Sequence, residues 1–562
     1  MRNETGEVSR ATTFGGVALF ALVSLAVQLP IIDRGLVSID EGHLVATAQR
    51  LLAGDLLYRD IHTGIFPGIY YATAALFEVF GTDLLVTRWA QFAVNTATVL
   101  LLWRIGLYAM RPIFAAFAPL VFLAAIPIAF PVLTMLNYSA VSGLFGIAAL
   151  LFLLRTLERG RPSDALWLGV ALAACALTKQ NFGLLVGLAI LGGFFWGRRD
   201  SPLRERTAFG GLAPVFLAGG VISLAAVAFF LATGTFGHLV DSTFTALLTT
   251  QSESYANPIP PILGAHPAGD GRFLFLYMPA ALFGYMIRGE TILGFPVSAG
   301  VASAAIRLAY GLPLASLLAA PVVLWWTRAS DSPARRSASR AIVLFALFFF
   351  LGIFPSAVWS HLVYVLAPAL MVMGWVADRI DAALASRSQF GRTAFRGIVL
   401  GFAGCLALAA LRIPADVQRW NPESLGIEGA EVFVGEDQAK LHRGATAFLE
   451  RCSRPGEAVF VAPTHPILYV LAKRPNPTRY DLTIPGDVSG PEIISDLEAS
   501  GTRCIVYDPK MYFEFDDFGD LFPELSRYLH TRFEKVAAIR GTGDNEWHGL
   551  RRRLRSTKTD NR

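Results

Sequence analysis

The stretch AFGGLAPVFLAGGVISLAAVAFFLA, residues 208–232, contains no charged side chain. As an α-helix it exceeds the roughly 20 residues needed to cross the hydrocarbon core of a bilayer. It is apolar all round, so it has no face to turn toward water. A second uncharged run, AIVLFALFFFLGIFPSAV at 341–358, reads the same way. Working outward from these two, spans are predicted at 14–32, 86–108, 112–131, 137–155, 163–179, 182–197, 208–232, 308–327, 340–358, 361–377 and 395–412. The expected fold is therefore a polytopic α-helical membrane protein with about 11 spans. A further hairpin of apolar runs near 273–287 and 291–305 would raise the count to 13 without changing the orientation of the later spans.

Composition agrees. Of 562 residues, 54% are hydrophobic and 16% charged, and the mean hydropathy is +0.49; an aqueous globule of that make-up would lack the polar side chains to cover its surface. The net charge of +5 comes largely from Arg beside the apolar runs. It reports topology rather than nucleic-acid binding, for which no basic-aromatic face is present. With the N-terminus inside, the inner segments, including Arg2, Arg204 and Arg206, hold 19 Lys or Arg against eight in the outer ones. The positive-inside rule then makes the N-terminus cytoplasmic and places everything after the last span outside a plasma membrane. Residues 14–30 lack the small-residue cleavage site of a secretory signal and are read as a retained first span.

The chain accordingly divides into a membrane domain over 1–412, a linker over 413–435 and a soluble α/β domain over 436–562. In the last, strand-like AVFVAP (458–463), RCIVYDP (503–509) and FEKVAAI (533–539) alternate with helices near 437–451, 491–500 and 520–531, predicting a mainly parallel sheet. No glycine-rich phosphate loop follows any strand, so no nucleotide site and no catalysis are assigned to it, only acceptor docking or stability. Cys175 and Cys405 lie within spans. Cys452 and Cys504 each precede a soluble-domain strand; outside the cell they can form a disulfide, the alternative being two buried thiols.

The chemistry concentrates in SIDEGHLVATAQRLLAGDLLYRDIHTGIFPGIYYATAALFEVFG, residues 38–81, which come directly after the first span and contain two amphipathic stretches suited to an interface. Asp40 and Glu41 sit where the chain leaves the bilayer, a depth at which carboxylates require a cationic partner or a purpose. A helix cap for 43–53 is the alternative role. Tyr58, Arg59, Asp60 and His62 come next, in one loop. Lys179, Gln180 and Asn181 make a polar step between two spans on the same face, where a Lys either snorkels to the headgroups or holds a lipid-linked phosphate.

These residues carry a family resemblance. The series Asp40-Glu41-Gly42, Leu51-Leu52-Ala53-Gly54, Tyr58-Arg59-Asp60, Pro67-Gly68-Ile69-Tyr70-Tyr71, Leu76-Phe77 and Phe80-Gly81 before an Arg88-led span resembles the GT-C membrane glycosyltransferases. Within them it is nearest the bacterial branch akin to protein O-mannosyltransferases and the aminoarabinose transferase of lipid A. LGVALAACALTKQNFGLL (168–185) and FPSAVWSHLVYVLAPAL (354–370) extend the likeness. The chain departs from the pattern in having one proline at Phe66-Pro67 and no Arg or Asp just before His361-Leu362.

The resemblance implies an inverting transfer of a sugar from a polyprenyl-phosphate donor to a hydroxyl acceptor on the extracytoplasmic face. Asp40 matches the family's catalytic Asp, with Glu41 orienting the acceptor or sharing the basic role. Lys179, Arg59 and, at a span's start, Arg88 are candidates for the donor phosphate. Tyr58, Asp60, His62, Gln180, Asn181 and His361 are candidate sugar or acceptor contacts, with loop or core packing as the alternative. No cluster has zinc-ligand spacing, so neither metal nor cofactor is expected. The competing classes are a lipid-linked sugar flippase, which would place charges along a path between the faces, and a non-catalytic subunit of a glycan assembly complex.

Overall fold

Helices begin where the sequence supplies an acceptor for the free N–H groups of the first turn. Asp83 accepts from Leu85 N at 2.7 Å, Asn137 from Ser139 N at 2.7 Å, and Ser332 and Ser388 do the same for the helices they precede. Pro112, Pro162 and Pro333 occupy first-turn positions that need no N–H. In the computed structural model, which describes residues 10–201, 203, 208–246, 256–264, 266–267, 270–486, 488–511 and 516–553, the first 420 residues are mainly helical. They comprise α1 (Arg10–Gln28), α2 (Asp40–Leu52), α3 (Gly68–Phe80), α4 (Leu84–Ala109), α5 (Pro112–Ile128, interrupted at Ala116), α6 (Tyr138–Arg159), α7 (Pro162–Thr178) and α8 (Gln180–Gly197). After them come α9 (Ala208–Ala232), α10 (Ala299–Thr327), α11 (Pro333–Phe350), α12 (Trp359–Ala385) and α13 (Gln389–Trp420).

Among the described residues, nine helices are long and apolar enough to cross a membrane: α1, α4, α6 and α8 to α13. Two other expected spans, α5 and α7, are apolar helices in the 10–17-residue class. Each of the eleven predicted spans therefore has its helix. The additional hairpin of spans does not form. Pro279 divides 271–287 into two short helices, Gly271–Tyr277 and Ala280–Ile287, and 291–296 form a two-stranded turn before α10. Arg2, Arg204, Arg206 and residues 247–255 of the long second loop lie outside the described residues.

Polar side chains of neighbouring helices bond one another inside the bundle. Ser24 and Gln28 of α1 meet Thr96 and Asn95 of α4 at 2.7 and 2.8 Å, interhelical bonds suited to a solvent that offers none. Ionic contacts gather the segments expected inside at one end. Buried Asp381 accepts from Arg111, Arg392 and Arg396, and Asp200 binds Arg336 and Arg340. The candidate catalytic segment lies at the other end, beneath the C-terminal region.

That region corrects two expectations. Residues 413–420 continue α13 rather than opening a linker. Beyond them Glu423–Ser424 pair with Phe433–Val434, and Leu425, Val432 and Val434 are buried in the C-terminal core. The main sheet is not mainly parallel. Its order is β1 (Val459–Ala462), β2 (Cys504–Tyr507), β4 (Glu546–Arg552), β3 (Phe533–Arg540). Only β1 and β2 are parallel, and β4 is antiparallel to both its neighbours. The cause is local: only residues 541–545 separate β3 from β4, enough for a hairpin and too few for a crossover. Helices α14 (Glu436–Cys452), α15 (Ile467–Leu471), α16 (Gly490–Ala499) and α17 (Pro523–Arg532) surround the sheet. Cys452 and Cys504 are disulfide-bonded.

The two short helices after the first span join both halves. Val45 and Ala48 of α2 and Ala74 and Phe77 of α3 share a core with α15 and β1. Leu44, Ile69 and Tyr70 pack instead on Leu136 and Phe230 of the bundle. Gly42 makes the first contact possible, since a Cβ there would lie 2.7 Å from the backbone N of Ile467.

Candidate active site

Helix α2 starts at Asp40, and its first turns lie over a cavity of about 330 Å³ between the bundle, the 62–65 loop and the C-terminal region. Asp40 and His43 reach it from α2, and Tyr138 from the start of α6. Lys179 enters from the step between α7 and α8, His361 and Tyr364 from α12, and Tyr480 and Asp481 from the C-terminal region.

The α7–α8 step is shaped by close packing. Gly68 at the start of α3 lies against Leu177, where a Cβ would sit 2.8 Å from the carbonyl oxygen. Thr178 ends α7, and Lys179 is extended (φ −150°, ψ 113°) before α8 begins. Its Nζ donates to Ser139 Oγ at 2.8 Å and lies 4.2 Å from the centre of the Phe182 ring and 5.3 Å from that of Tyr138. No carboxylate among the described residues pairs with it. A desolvated ammonium held only by a hydroxyl and two ring faces is an incomplete anion site.

Asp40 is the complementary case. Its side chain is accessible from the cavity, and among the described residues nothing donates a hydrogen bond to its carboxylate. Burial raises the Asp40 carboxyl above the ordinary carboxylate range, with the neighbouring His43 opposing the shift. An unengaged carboxylate biased toward holding a proton is suited to general-base work.

Glu41 does not share this environment. One residue further round the helix, it is buried and paired with Arg88, whose Nη2 lies 2.6 Å from Glu41 Oε2 and whose Nε donates to Oε1. Arg88 is fully buried; it also donates to the carbonyls of Arg34 and Gly35 and to Thr134. Neither residue lines the cavity. The pair fixes α2 on α4, and the structure gives Glu41 no opening to an acceptor and Arg88 none to a phosphate.

Arg59 is also outside. It is exposed and forms a two-pronged contact with Asp60 at 2.8 Å, while Asp60 accepts from Leu56 N. Hydrogen bonding from Arg59 lowers the Asp60 carboxyl below its usual range. Tyr58 is buried, with its hydroxyl donating to the Ile65 carbonyl. His62 lines the cavity wall beside Tyr480, ring centres 5.1 Å apart. Gln180 and Asn181 reach the cavity, but their amides are used locally: Gln180 bonds Gly64 O and Phe66 N, and Asn181 accepts from Phe182 N. His361 faces the cavity with Nδ1 bonded to Ser356 O at 2.7 Å.

Five contributors were not singled out from sequence: His43, Tyr138, Tyr364, Tyr480 and Asp481. Only His43 had a signal, its i+3 spacing from Asp40 on a predicted helix.

Comparison with known proteins agrees with this architecture. The family model for dolichyl-phosphate-mannose-protein mannosyltransferase matches residues 62–222, which include Tyr138 and Lys179 but not Asp40. No curated protein matches the sequence. Among solved structures, the chain is similar to ArnT from Cupriavidus metallidurans bound to undecaprenyl phosphate, at 14% identity and a TM-score of 0.55 over 96% of this chain and 98% of that one. It is also similar to an Archaeoglobus fulgidus oligosaccharyltransferase in the apo form, at 11% identity and a TM-score of 0.48 over 89% and 70% of the respective chains. The family model covers residues 62–222 alone, and the end-to-end likeness to the Cupriavidus structure, at 14% identity, shows a shared fold.

Proposed function

We propose that this protein transfers a sugar from a polyprenyl-phosphate donor to a hydroxyl-bearing acceptor on the extracytoplasmic face of the plasma membrane, with inversion. The observation that carries the reading is the pairing, across one cavity, of a carboxylate to which nothing among the described residues donates a hydrogen bond and a half-buried lysine with which no carboxylate among them pairs. Asp40 takes the proton of the acceptor hydroxyl as its oxygen bonds to the anomeric carbon. The bond from that carbon to the phosphate oxygen breaks, and the polyprenyl phosphate leaves with an additional negative charge. Lys179 meets that charge as it develops, where a cation stabilises the transition state more than the bound donor.

Several features support the placement of the parts. The ArnT structure with a similar fold contains undecaprenyl phosphate. The distribution of Lys and Arg favours a cytoplasmic N-terminus, and the Cys452–Cys504 bond suits an oxidising exterior. The ionisable groups of the cavity crowd one end of the bundle instead of tracing a path through it, which distinguishes the arrangement from a flippase.

The test is an assay of purified protein with polyprenyl-phosphate sugars and a panel of hydroxyl acceptors. The expected result is new glycosidic product from the wild type and a fall in kcat for Lys179→Ala of about 10²-fold, the scale for removing one charge-stabilising donor. Movement of intact lipid between leaflets without a new glycosidic bond would instead establish a transporter.

A further inference from the structure

Asp40, His43, Thr47 and Arg50 are spaced by three or four residues and so share one face of α2. Three of them converge on a single carboxylate from the C-terminal region. Asp481 is buried and accepts from Arg50 Nη1 at 2.9 Å and Asn476 Nδ2 at 2.9 Å through one oxygen. Its other oxygen lies 3.4 Å from Thr47 Oγ1 and 3.6 Å from His43 Nδ1. The second nitrogen of His43 lies 3.4 Å from the Tyr70 hydroxyl, itself 2.6 Å from Thr63 Oγ1. Nδ1 of the imidazole thus faces Asp481 at ion-pair distance without a hydrogen bond, the other nitrogen faces Tyr70, and the ring lies one turn from Asp40.

Asp481 is excessive as mere packing. Arg50 already has Asp55 at 2.8 Å, so Asp481 brings a second negative charge into a buried place. The other basic side chain within ion-pair distance of Asp481 is His43. Although burial opposes it, the charges of Arg50 and His43 hold Asp481 well below the usual carboxylate range.

We infer that Asp481 is a positioning residue for the transfer reaction: it sets the place and orientation of the His43 imidazole beside Asp40, so that the C-terminal region completes the active site. The inference rests on the proposed role of Asp40. The other titratable groups lining the cavity with Asp40 are Tyr70, Tyr138, Tyr364, Tyr480, Lys179, His361 and His62; none of them makes an ion pair with Asp481 as His43 does.

The experiment reads Asp40 directly, without requiring turnover. Dicyclohexylcarbodiimide modifies the protonated carboxyl, and mass spectrometry of the full-length protein across the acid and neutral range gives the labelling midpoint of Asp40. In His43→Gln and in Asp481→Asn the midpoint is expected to rise by about one pH unit or more, the scale for losing a neighbouring opposite charge. The double variant should match His43→Gln, because Asp481 acts through that ring. In the transfer assay both single variants should lose kcat, by about 10²-fold, with little change in KM, and Asp481→Glu should recover part of it. An unmoved midpoint in Asp481→Asn, or a double variant whose shift is the sum of the two, would overturn the inference. Should Asp481→Asn unfold its loop, His43→Gln alone carries the test, and an unmoved midpoint there has the same consequence. A wild-type protein that transfers no sugar would overturn the functional reading on which the inference rests.

Discussion

On a helix, consecutive side chains point about 100° apart, and the start of α2 shows the consequence: Asp40 looks into the cavity while Glu41 is turned into the bundle against Arg88. Removing one partner of a buried pair strands the other charge. Arg88→Ala and Glu41→Gln should therefore each destabilise the protein by about 3–5 kcal/mol, read as lost thermal stability in detergent, and any loss of transfer should follow the loss of folded protein. Asp40→Asn should leave stability near that of the wild type. Its pH signature is distinct as well. A base must be ionised, and burial raises the Asp40 carboxyl, so kcat/KM should fall as pH is lowered through a midpoint above the ordinary Asp value of about 3.9. A midpoint at or below that value would mean that the titrating group is another one. Asp40 and Lys179 were legible in the sequence because a carboxylate and an ammonium at a membrane interface are costly and so conspicuous. Arg59 and Arg88 were equally conspicuous, but their partners, Asp60 beside one and Glu41 47 positions from the other, could be told apart from a ligand only in three dimensions.

At the scale of elements, α2 and α3 are the pieces on which the site depends, each packed on the bundle by one face and on the C-terminal region by another. Arg50 fastens the arrangement, reaching Asp481, the carbonyls of Thr478 and Asp60, and Asp55. Because the folded-state Asp481 carboxyl is lowered, its contribution to stability is present above the unfolded value of about 3.9 and is lost as pH falls through the folded one. Arg50→Ala should remove much of this acid dependence along with the attachment of the 476–484 loop, measurable as faster proteolysis there. The sequence revealed α2 and α3 through their amphipathic pattern. It did not reveal β4, whose NEWHGLRRR at 545–553 carries too many charges to read as a strand; its pairing exists only between β2 and β3.

The whole molecule is divided between a helical bundle, whose spans were readable from apolar runs, and a C-terminal α/β region whose place over the cavity no local pattern encodes. That place depends on contacts between distant positions, such as Ser38 with His442 at 2.8 Å and Arg479 with the Tyr58 carbonyl at 2.7 Å. If the C-terminal region lies outside the membrane, a C-terminal alkaline phosphatase fusion should be active in a bacterial host. Reduction of Cys452–Cys504, which closes a separation of 52 residues, should lower the stability of that region by about 2–4 kcal/mol. An inactive fusion whose cytoplasmic reporter counterpart is active would reverse the topology. The central claim concerns the cavity that both halves enclose. Its most direct test is the rate of glycosidic product formation by Asp40→Asn against the wild type, at equal amounts of folded protein and saturating polyprenyl-phosphate sugar. The account predicts a loss of about 10²–10⁴-fold, the contribution of a general base; transfer by Asp40→Asn at the wild-type rate would contradict it.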